Sequence, residues 1–233
     1  MIHLSVHPTP EAAAQAAADR VGAAIEEAQS ARGVAHVALA GGTTPRRTYE
    51  LLGPRLVDPD QVDWWFGDER CVPADDPDSN YRLVSESLLA TAAISPDRLH
   101  RVHGEDPPPL AAAAYEEELK REVPSDGGGV PVLDVAFLGL GEDGHTASLF
   151  PGDPALDVTD ALAVPVVAVK PPPNRITLTL PVLRAARAVL ILATGATKRD
   201  AVARVLAGPD PATPASLLAD ADVTLVVDRE AAP

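Results

Sequence analysis

The sequence has a single cysteine, few basic residues and no long hydrophobic run. Because Cys71 has no partner in the chain, an internal disulfide is excluded and a reducing compartment is favoured. The 34 Asp and Glu outnumber the 19 Lys and Arg, and the resulting net charge of −15 argues against nucleic acid as a partner. No apolar run approaches membrane-spanning length, and residues 1–20 show no secretory signal. We therefore expect a cytoplasmic protein without nucleic-acid or membrane partners.

What the chain does contain is a regular alternation of apolar runs and helix-like segments. Its 233 residues are enough for one α/β domain with a sizeable core, and we expect that domain to cover residues 1–233 and to act as a monomer. The strongest predicted strands lie at 34–40, 62–67, 133–140, 188–193 and 223–227. This order predicts an α/β fold with a doubly wound, mainly parallel sheet and helices on both faces, a Rossmann-like arrangement.

Three local patterns give further structural predictions. Thr9 followed by Pro10 is typical of a helix start, and Gly33 is placed to end that helix. Residues 98–103 are predicted to form a short strand, which would send His100 and His103 to opposite faces and argues against a metal site. The segment that begins at His145 is predicted to open a short helix.

Residues 139–144 spell G-x-G-x-x-G after a predicted strand, so a dinucleotide site has to be considered. Three features argue against it. Glu142 and Asp143 would bring negative charge beside a pyrophosphate, and Pro151 shortens the following helix to about one turn. The next strand ends near Lys170 without the expected ribose-binding acid.

A catalytic role explains the same turn better. A histidine just beyond a carboxylate at the end of a strand suits a general base, with Asp143 orienting His145 if the turn brings them together. The alternative is that His145 only caps or packs against the short helix. Ser148 lacks the G-x-S-x-G context of a nucleophile, and Cys71 has no evident catalytic partner.

Two other turns and one charged segment are candidates for anion binding. Gly41-Gly42-Thr43-Thr44 follows a strand, and its backbone N–H groups and hydroxyls could hold a phosphate; alternatively it is a tight turn in which Thr44 caps a helix. The turn from Gly195 to Lys198 has the same arrangement with an added cation. Asp68-Glu69-Arg70 follows a predicted central strand, at the edge where α/β sheets bind ligands, or forms a surface ion-pair cluster.

Taken together, these motifs resemble the 6-phosphogluconolactonase family, in the family's order and over nearly the whole chain. The block at 139–152 is the specific one, whereas the Gly-Gly-Thr turn alone would be weak evidence. Thr43 departs from the serine that is frequent in the family but keeps the hydroxyl. The matching segments are 41–45, 68–70, 79–81, 139–152, 172–179 and 195–198.

The resemblance implies hydrolysis of a phosphosugar lactone without metal or cofactor. His145 would be the base, with Asp143 contacting either the base or the sugar, and Arg70 or glycine-turn N–H groups would meet the oxyanion. The phosphate would be held by Gly41, Gly42, Thr43, Arg175 and Lys198, although a structural ion pair would explain Arg175 equally well.

The nearest alternative is the glucosamine-6-phosphate deaminase family, which also has an Asp-Gly-His turn. That family follows its histidine with a segment containing a glutamate that takes part in the chemistry. The corresponding residues 148–152 contain no acid, which favours the lactonase. A non-catalytic sugar-phosphate sensor would normally carry a DNA-binding module, for which this acidic chain leaves no room.

Overall fold

A computed structural model describes residues 2–233. Within them the strands are β1 (Ile2–His7), β2 (Ala35–Leu39), β3 (Val62–Phe66), β4 (Asp68–Arg70), β5 (Val135–Gly139), β6 (Ala163–Val167), β7 (Asn174–Leu178), β8 (Ala188–Ala193) and β9 (Val223–Asp228). The α-helices are α1 (Pro10–Arg32), α2 (Arg46–Leu52), α3 (Asn80–Val84), α4 (Pro108–Glu122), α5 (Leu180–Ala185) and α6 (Arg199–Leu206). Short 3₁₀ turns and a π-helical segment at Ser85–Leu89 complete the secondary structure.

Six strands form one sheet in the order β1-β9-β8-β5-β2-β3, and every neighbouring pair in it is parallel. From β2 the chain first adds β3 on one side, then crosses to β5 on the other side and continues through β8 and β9. The direction of winding therefore reverses between β2 and β5. This is the switch point at which open α/β sheets leave a crevice at the carboxyl ends of the strands.

Helix α1 confirms the predicted start and end. The Thr9 hydroxyl accepts a hydrogen bond from the Ala12 N–H, Pro10 is the first helical residue, and Gly33 ends the helix with φ +83°. One face of α1 is buried against the sheet, where it contacts β2, β8 and β9. That face is made mostly of alanine, which lets the helix lie close to the strands; its buried residues are Ala13, Ala14, Ala17, Ala18, Val21, Ile25 and Ala28.

A second, three-stranded antiparallel sheet in the order β4-β7-β6 lies beside the end of β3. Helix α4 packs on β6 and β7. The buried Tyr115 hydroxyl of α4 accepts from the Phe66 N–H at 2.7 Å and donates to the Phe66 carbonyl at 2.9 Å. This contact fixes the end of β3 where the chain turns into β4. The charged segment 68–70 thus forms a strand of its own, and β3 is an edge strand of the main sheet and not a central one.

The predicted strand at 98–103 is wrong. Residues Pro96–Arg98 form a 3₁₀ turn, and the only pairing of this segment with β3 is a single bridge between Leu99 and Trp64. Side-chain contacts determine the conformation: the His100 ring stacks on Trp65, with ring centroids 4.0 Å apart and planes 6° apart. Along the described chain, no helix is both long and apolar enough to cross a membrane.

Candidate active site

A cavity of about 240 Å³ opens at the carboxyl ends of β2, β5 and β8, at the switch point of the main sheet. Residues from several distant parts of the chain meet there, including most of the predicted site residues. The cavity is lined by Ala40, Gly41, Gly42, Thr43, Thr44, Pro45, Asp68, Arg70, Leu138, Gly139, Leu140, Gly141, His145, Ala147, Arg175, Leu192 and Lys198. Of the predicted residues, only Asp143 is absent from this lining.

The turn after β2 supplies one wall of the cavity. A Cβ atom at Gly41 would overlap the Asn80 side-chain amide, so the close approach of α3 requires glycine there. Gly42 has φ +86°. Helix α2 begins without any side-chain capping bond, so the alternative role of Thr44 as its cap is wrong. Thr43 and Thr44 both line the cavity instead.

The turn after β5 brings Asp143 and His145 together. Asp143 Oδ1 lies 2.5 Å from His145 Nδ1 and also accepts from the His145 backbone N–H at 3.2 Å. A Cβ atom at Gly141 would overlap the imidazole, so glycine is required for the ring to lie over the turn. The question left open by the sequence is answered: Asp143 contacts the histidine. With Nδ1 facing the carboxylate, Nε2 is the nitrogen left for chemistry.

The electrostatics of this pair favour an ionised carboxylate. Burial acts to raise the pKa of Asp143, but the adjacent imidazole and the hydrogen bonds from His145 outweigh it, and the pKa lies below its usual value. The His145 side chain is about a quarter exposed and its ring lies 4.7 Å, centroid to centroid, from that of Phe150. The imidazole is thus oriented on one side and accessible on the other.

The backbone hydrogen bonds of the same turn disfavour a dinucleotide site. The Gly141 N–H donates to the His145 carbonyl and the Gly144 N–H to the Gly141 carbonyl, so the loop closes on itself. The predicted short helix after His145 is also wrong: residues 146–149 form a tight turn with a bridge between Thr146 and Leu149. Hydroxyl groups of this segment bond to distant backbone and side-chain groups, which competes with helix formation.

Two arginines come from the second sheet. Arg70 on β4 and Arg175 on β7 are direct cross-strand partners and both line the cavity. The Arg70 guanidinium donates to the Asp78 carbonyl at 2.6 Å, and Arg175 donates to the Pro172 carbonyl at 3.1 Å. Neither arginine has an ion-pair partner among residues 2–233, so the structural ion pair considered for Arg175 is absent there. Burial, and then the charge of Arg70, lower the pKa of Arg175.

Lys198 enters the cavity from the turn after β8. That turn is held by the buried Asp228 carboxylate, which accepts from the Gly195 N–H at 3.0 Å. Burial lowers the pKa of Lys198, while the nearby carboxylates of Glu142 and Asp143 act in the opposite direction. Three cations and the histidine therefore surround one cavity in a chain whose net charge is strongly negative.

Sequence reasoning missed the buried polar residues that hold these groups. Asp68 and Ser148 lie 80 positions apart in the sequence, but the Ser148 hydroxyl donates to Asp68 Oδ2 at 2.5 Å. Glu69 accepts from the backbone N–H groups of Asn80 and Tyr81, and burial, which outweighs these bonds, raises its pKa to about 7. The adjacency of two acids to Arg70 was the only signal in the sequence that this strand is internal to the site.

The fold and the cavity define an α/β protein with an anion-binding, histidine-containing site at the switch point of a parallel sheet. A family model described as glucosamine-6-phosphate isomerases/6-phosphogluconolactonase matches residues 8–227. The chain belongs to this family, and the family resemblance seen in the sequence is confirmed.

Individual relatives agree with that assignment. The chain is 42% identical over 219 residues to a 6-phosphogluconolactonase of Streptomyces coelicolor, a match that covers 88% of this chain and 83% of that protein. It is 35% identical over 242 aligned positions to one of Mycobacterium tuberculosis, covering 98% and 96%.

Solved structures show the same fold. The 6-phosphogluconolactonase of Trypanosoma brucei superposes with a TM-score of 0.89 at 34% identity, covering 99% of this chain and 97% of that one. A monomeric glucosamine-6-phosphate deaminase superposes with a TM-score of 0.83 at 24% identity, which shows a shared fold. The predicted α/β architecture is confirmed.

Proposed function

We propose that this protein hydrolyses 6-phospho-D-glucono-1,5-lactone to 6-phospho-D-gluconate, the second step of the oxidative pentose phosphate pathway. The observation that carries the proposal is the Asp143–His145 pair, 2.5 Å apart, beside a cavity that also receives three cations. A lactone is an activated ester, so a base and a water molecule are sufficient for its hydrolysis. The relatives named 6-phosphogluconolactonase support the same substrate.

In the proposed mechanism His145 Nε2 takes a proton from water as the water oxygen attacks the lactone carbonyl carbon. Asp143 fixes the imidazole through Nδ1 and stabilises the imidazolium that forms. The carbon–oxygen bond of the ring then breaks, and the imidazolium returns its proton to the departing ring oxygen. The new carboxylic acid loses its own proton to solvent, which balances the step as the addition of one water.

The cations divide between two tasks. We assign Arg70 to the carbonyl oxygen, where negative charge develops as water attacks. We assign the phosphate to Lys198 and Arg175, which supply charge, and to the turn at 41–43, which supplies N–H groups and the Thr43 hydroxyl. Lys198 is partly buried and Arg175 is largely buried, so solvent only weakly screens their attraction for a dianion.

Deaminase chemistry is disfavoured, because residues 146–152, which follow the histidine, contain no acid that could take part in the reaction.

We further propose that the protein works as a monomer in the cytoplasm. The groups assigned to catalysis and binding all come from one chain, which supports the first point. A single cysteine supports the second.

Two parallel assays test the proposed activity. Freshly generated 6-phosphogluconolactone is followed by acid release, with a buffer blank subtracted because the lactone also opens spontaneously. Glucosamine 6-phosphate is followed by ammonia release under the same conditions. We expect a rate above the blank in the first assay and none in the second; ammonia release without lactone hydrolysis would overturn the proposal.

A further inference from the structure

Ala147 has an unusual backbone conformation beside the proposed base. Its φ is +48°, and it is the one residue other than glycine with positive φ in the described part of the chain. It lines the cavity and lies two residues after His145. The left-handed region disfavours any residue with a Cβ atom, so neighbouring contacts must hold Ala147 in place.

Those contacts come from the hydroxyl residues on either side. The Thr146 hydroxyl donates to the Gly139 carbonyl at 2.9 Å, at the end of β5. The Ser148 hydroxyl donates to Asp68 Oδ2 at 2.5 Å, and the Ser148 N–H donates to Thr177 Oγ1 at 3.2 Å. Thr146, Ser148 and Thr177 are fully buried, so water does not compete for these bonds.

The two residues that hold Ser148 face each other across the second sheet. Asp68 of β4 and Thr177 of β7 are direct cross-strand partners, and the pair two residues along the same ladder is Arg70 with Arg175. Since side chains alternate along a strand, both pairs lie on one face of the ladder. One ladder thus carries the two cavity arginines and also the anchor of the turn that bears His145.

We propose that Asp68 and Thr177 form a clamp on Ser148 that positions His145 relative to Arg70 and Arg175. The clamp holds Ala147 in its left-handed conformation and so fixes the imidazole at one distance from the cations. Asp68, Thr177 and Ser148 are positioning residues in this scheme, since they act through the turn. The inference rests on the proposed function, because it assumes that His145 is the base.

A purely structural role for these buried hydrogen bonds is the competing explanation. It predicts that removing the Ser148 hydroxyl lowers stability and leaves the turnover of folded molecules intact. The clamp predicts lower turnover in folded molecules, because Ala147 would relax toward negative φ and carry His145 with it. It also predicts rescue by glycine at position 147, because glycine adopts positive φ without the steric cost.

The test compares Ser148→Ala, the double variant Ser148→Ala/Ala147→Gly, and Ser87→Ala as a matched control. Ser87 is also a fully buried serine with a hydrogen bond, from its hydroxyl to the Leu83 carbonyl at 2.6 Å, and it lies outside the cavity. We expect Ser148→Ala to lower kcat by roughly 10- to 100-fold with KM within about twofold of wild type. The double variant should have a kcat at least about threefold higher than that of Ser148→Ala. Ser87→Ala should keep the wild-type kcat.

A wild-type kcat in Ser148→Ala, or a loss that glycine does not restore, would overturn the clamp. Should Ser148→Ala fail to fold, Thr177→Val replaces it, since valine removes the acceptor for the Ser148 N–H in a similar volume. His145→Ala is measured in the same series to separate the two proposals. If it retains activity, the assigned base is wrong; if it is inactive while Ser148→Ala is fully active, only the clamp fails.

Discussion

Arg70 and Arg175 lie directly opposite each other on adjacent antiparallel strands. Like charges in this position destabilise a sheet, and Arg175 is only 7% exposed, so solvent screens the repulsion poorly. Burial and the charge of Arg70 both lower the pKa of Arg175. In the proposed mechanism the substrate relieves this repulsion, because its phosphate contacts Arg175 and its carbonyl oxygen contacts Arg70. We therefore propose that the pair lowers the stability of the free protein and raises its affinity for an anionic substrate.

The first prediction follows from this pair: an anionic ligand should stabilise the protein strongly. At a concentration of 6-phosphogluconate about 100 times Kd, the free energy of unfolding should rise by about 2.7 kcal/mol. Arg175→Met should lose most of this gain, whereas Arg121→Met, at an exposed arginine paired with Glu122, should retain it. Thermal unfolding with and without ligand measures the difference. If the ligand raised the unfolding temperature of Arg175→Met as much as that of the wild type, Arg175 would not bind the anion.

The second prediction concerns the base. His145→Ala should lower kcat by about 10²- to 10⁴-fold, because general base catalysis typically contributes that much. Binding of 6-phosphogluconate should survive, since the cations are untouched. His103→Ala is the control, as His103 is exposed and outside the cavity. Lactone hydrolysis above the buffer blank at the wild-type rate would remove His145 from the mechanism.

The third prediction separates binding from chemistry at Lys198. Phosphate contacts are similar in the ground and transition states, so Lys198→Ala should raise KM by about 10- to 100-fold with little change in kcat. Lys120→Ala, at an exposed lysine that is paired with Glu116 and Glu117 and lies outside the cavity lining, removes the same charge and should have no effect. Steady-state kinetics distinguish the cases. A collapsed kcat with unchanged KM would place Lys198 at the reacting carbonyl.

The main sheet could be predicted because its signals are local. Each apolar run is long enough to be a buried strand, and Thr9, Pro10 and Gly33 mark the ends of α1 independently of the rest of the fold. The turn that carries Asp143 and His145 was likewise identified from one contiguous motif. Parallel strands then necessarily bring their carboxyl ends to one edge, which is why residues near positions 41, 141 and 198 meet.

What the sequence does not reveal depends on pairing between distant segments. The contact between Asp68 and Ser148 joins residues 80 positions apart, and the register that sets Arg70 against Arg175 is fixed only by the β4–β7 ladder. A short helix is predicted after His145, but the hydroxyls of Thr146 and Ser148 bond to distant residues, and this overrides the local preference. The predicted strand around position 100 is wrong for the same reason, since contacts of His100 with distant residues determine the local backbone.

The last prediction is a pH dependence of stability that arises away from the cavity. Burial alone would lower the pKa of His100, but the carboxylate of Asp63, 3.5 Å from Nε2, and the hydrogen bond between Nδ1 and Glu118 at 2.8 Å outweigh it and raise the pKa to about 9. This pKa lies above the unfolded value of about 6.5. The stability contributed by the protonated His100 imidazole is therefore fully present below pH 6.5 and is lost as pH rises toward 9. The free energy of unfolding should therefore fall by up to about 3 kcal/mol over that range in the wild type. The free energy of unfolding of His100→Gln should fall less over the same range. That of His3→Gln, at an exposed histidine, should follow the wild type. Chemical denaturation between pH 6 and 9.5 measures these slopes, and identical slopes in the wild type and His100→Gln would show that the buried ion pairs do not raise the pKa of His100.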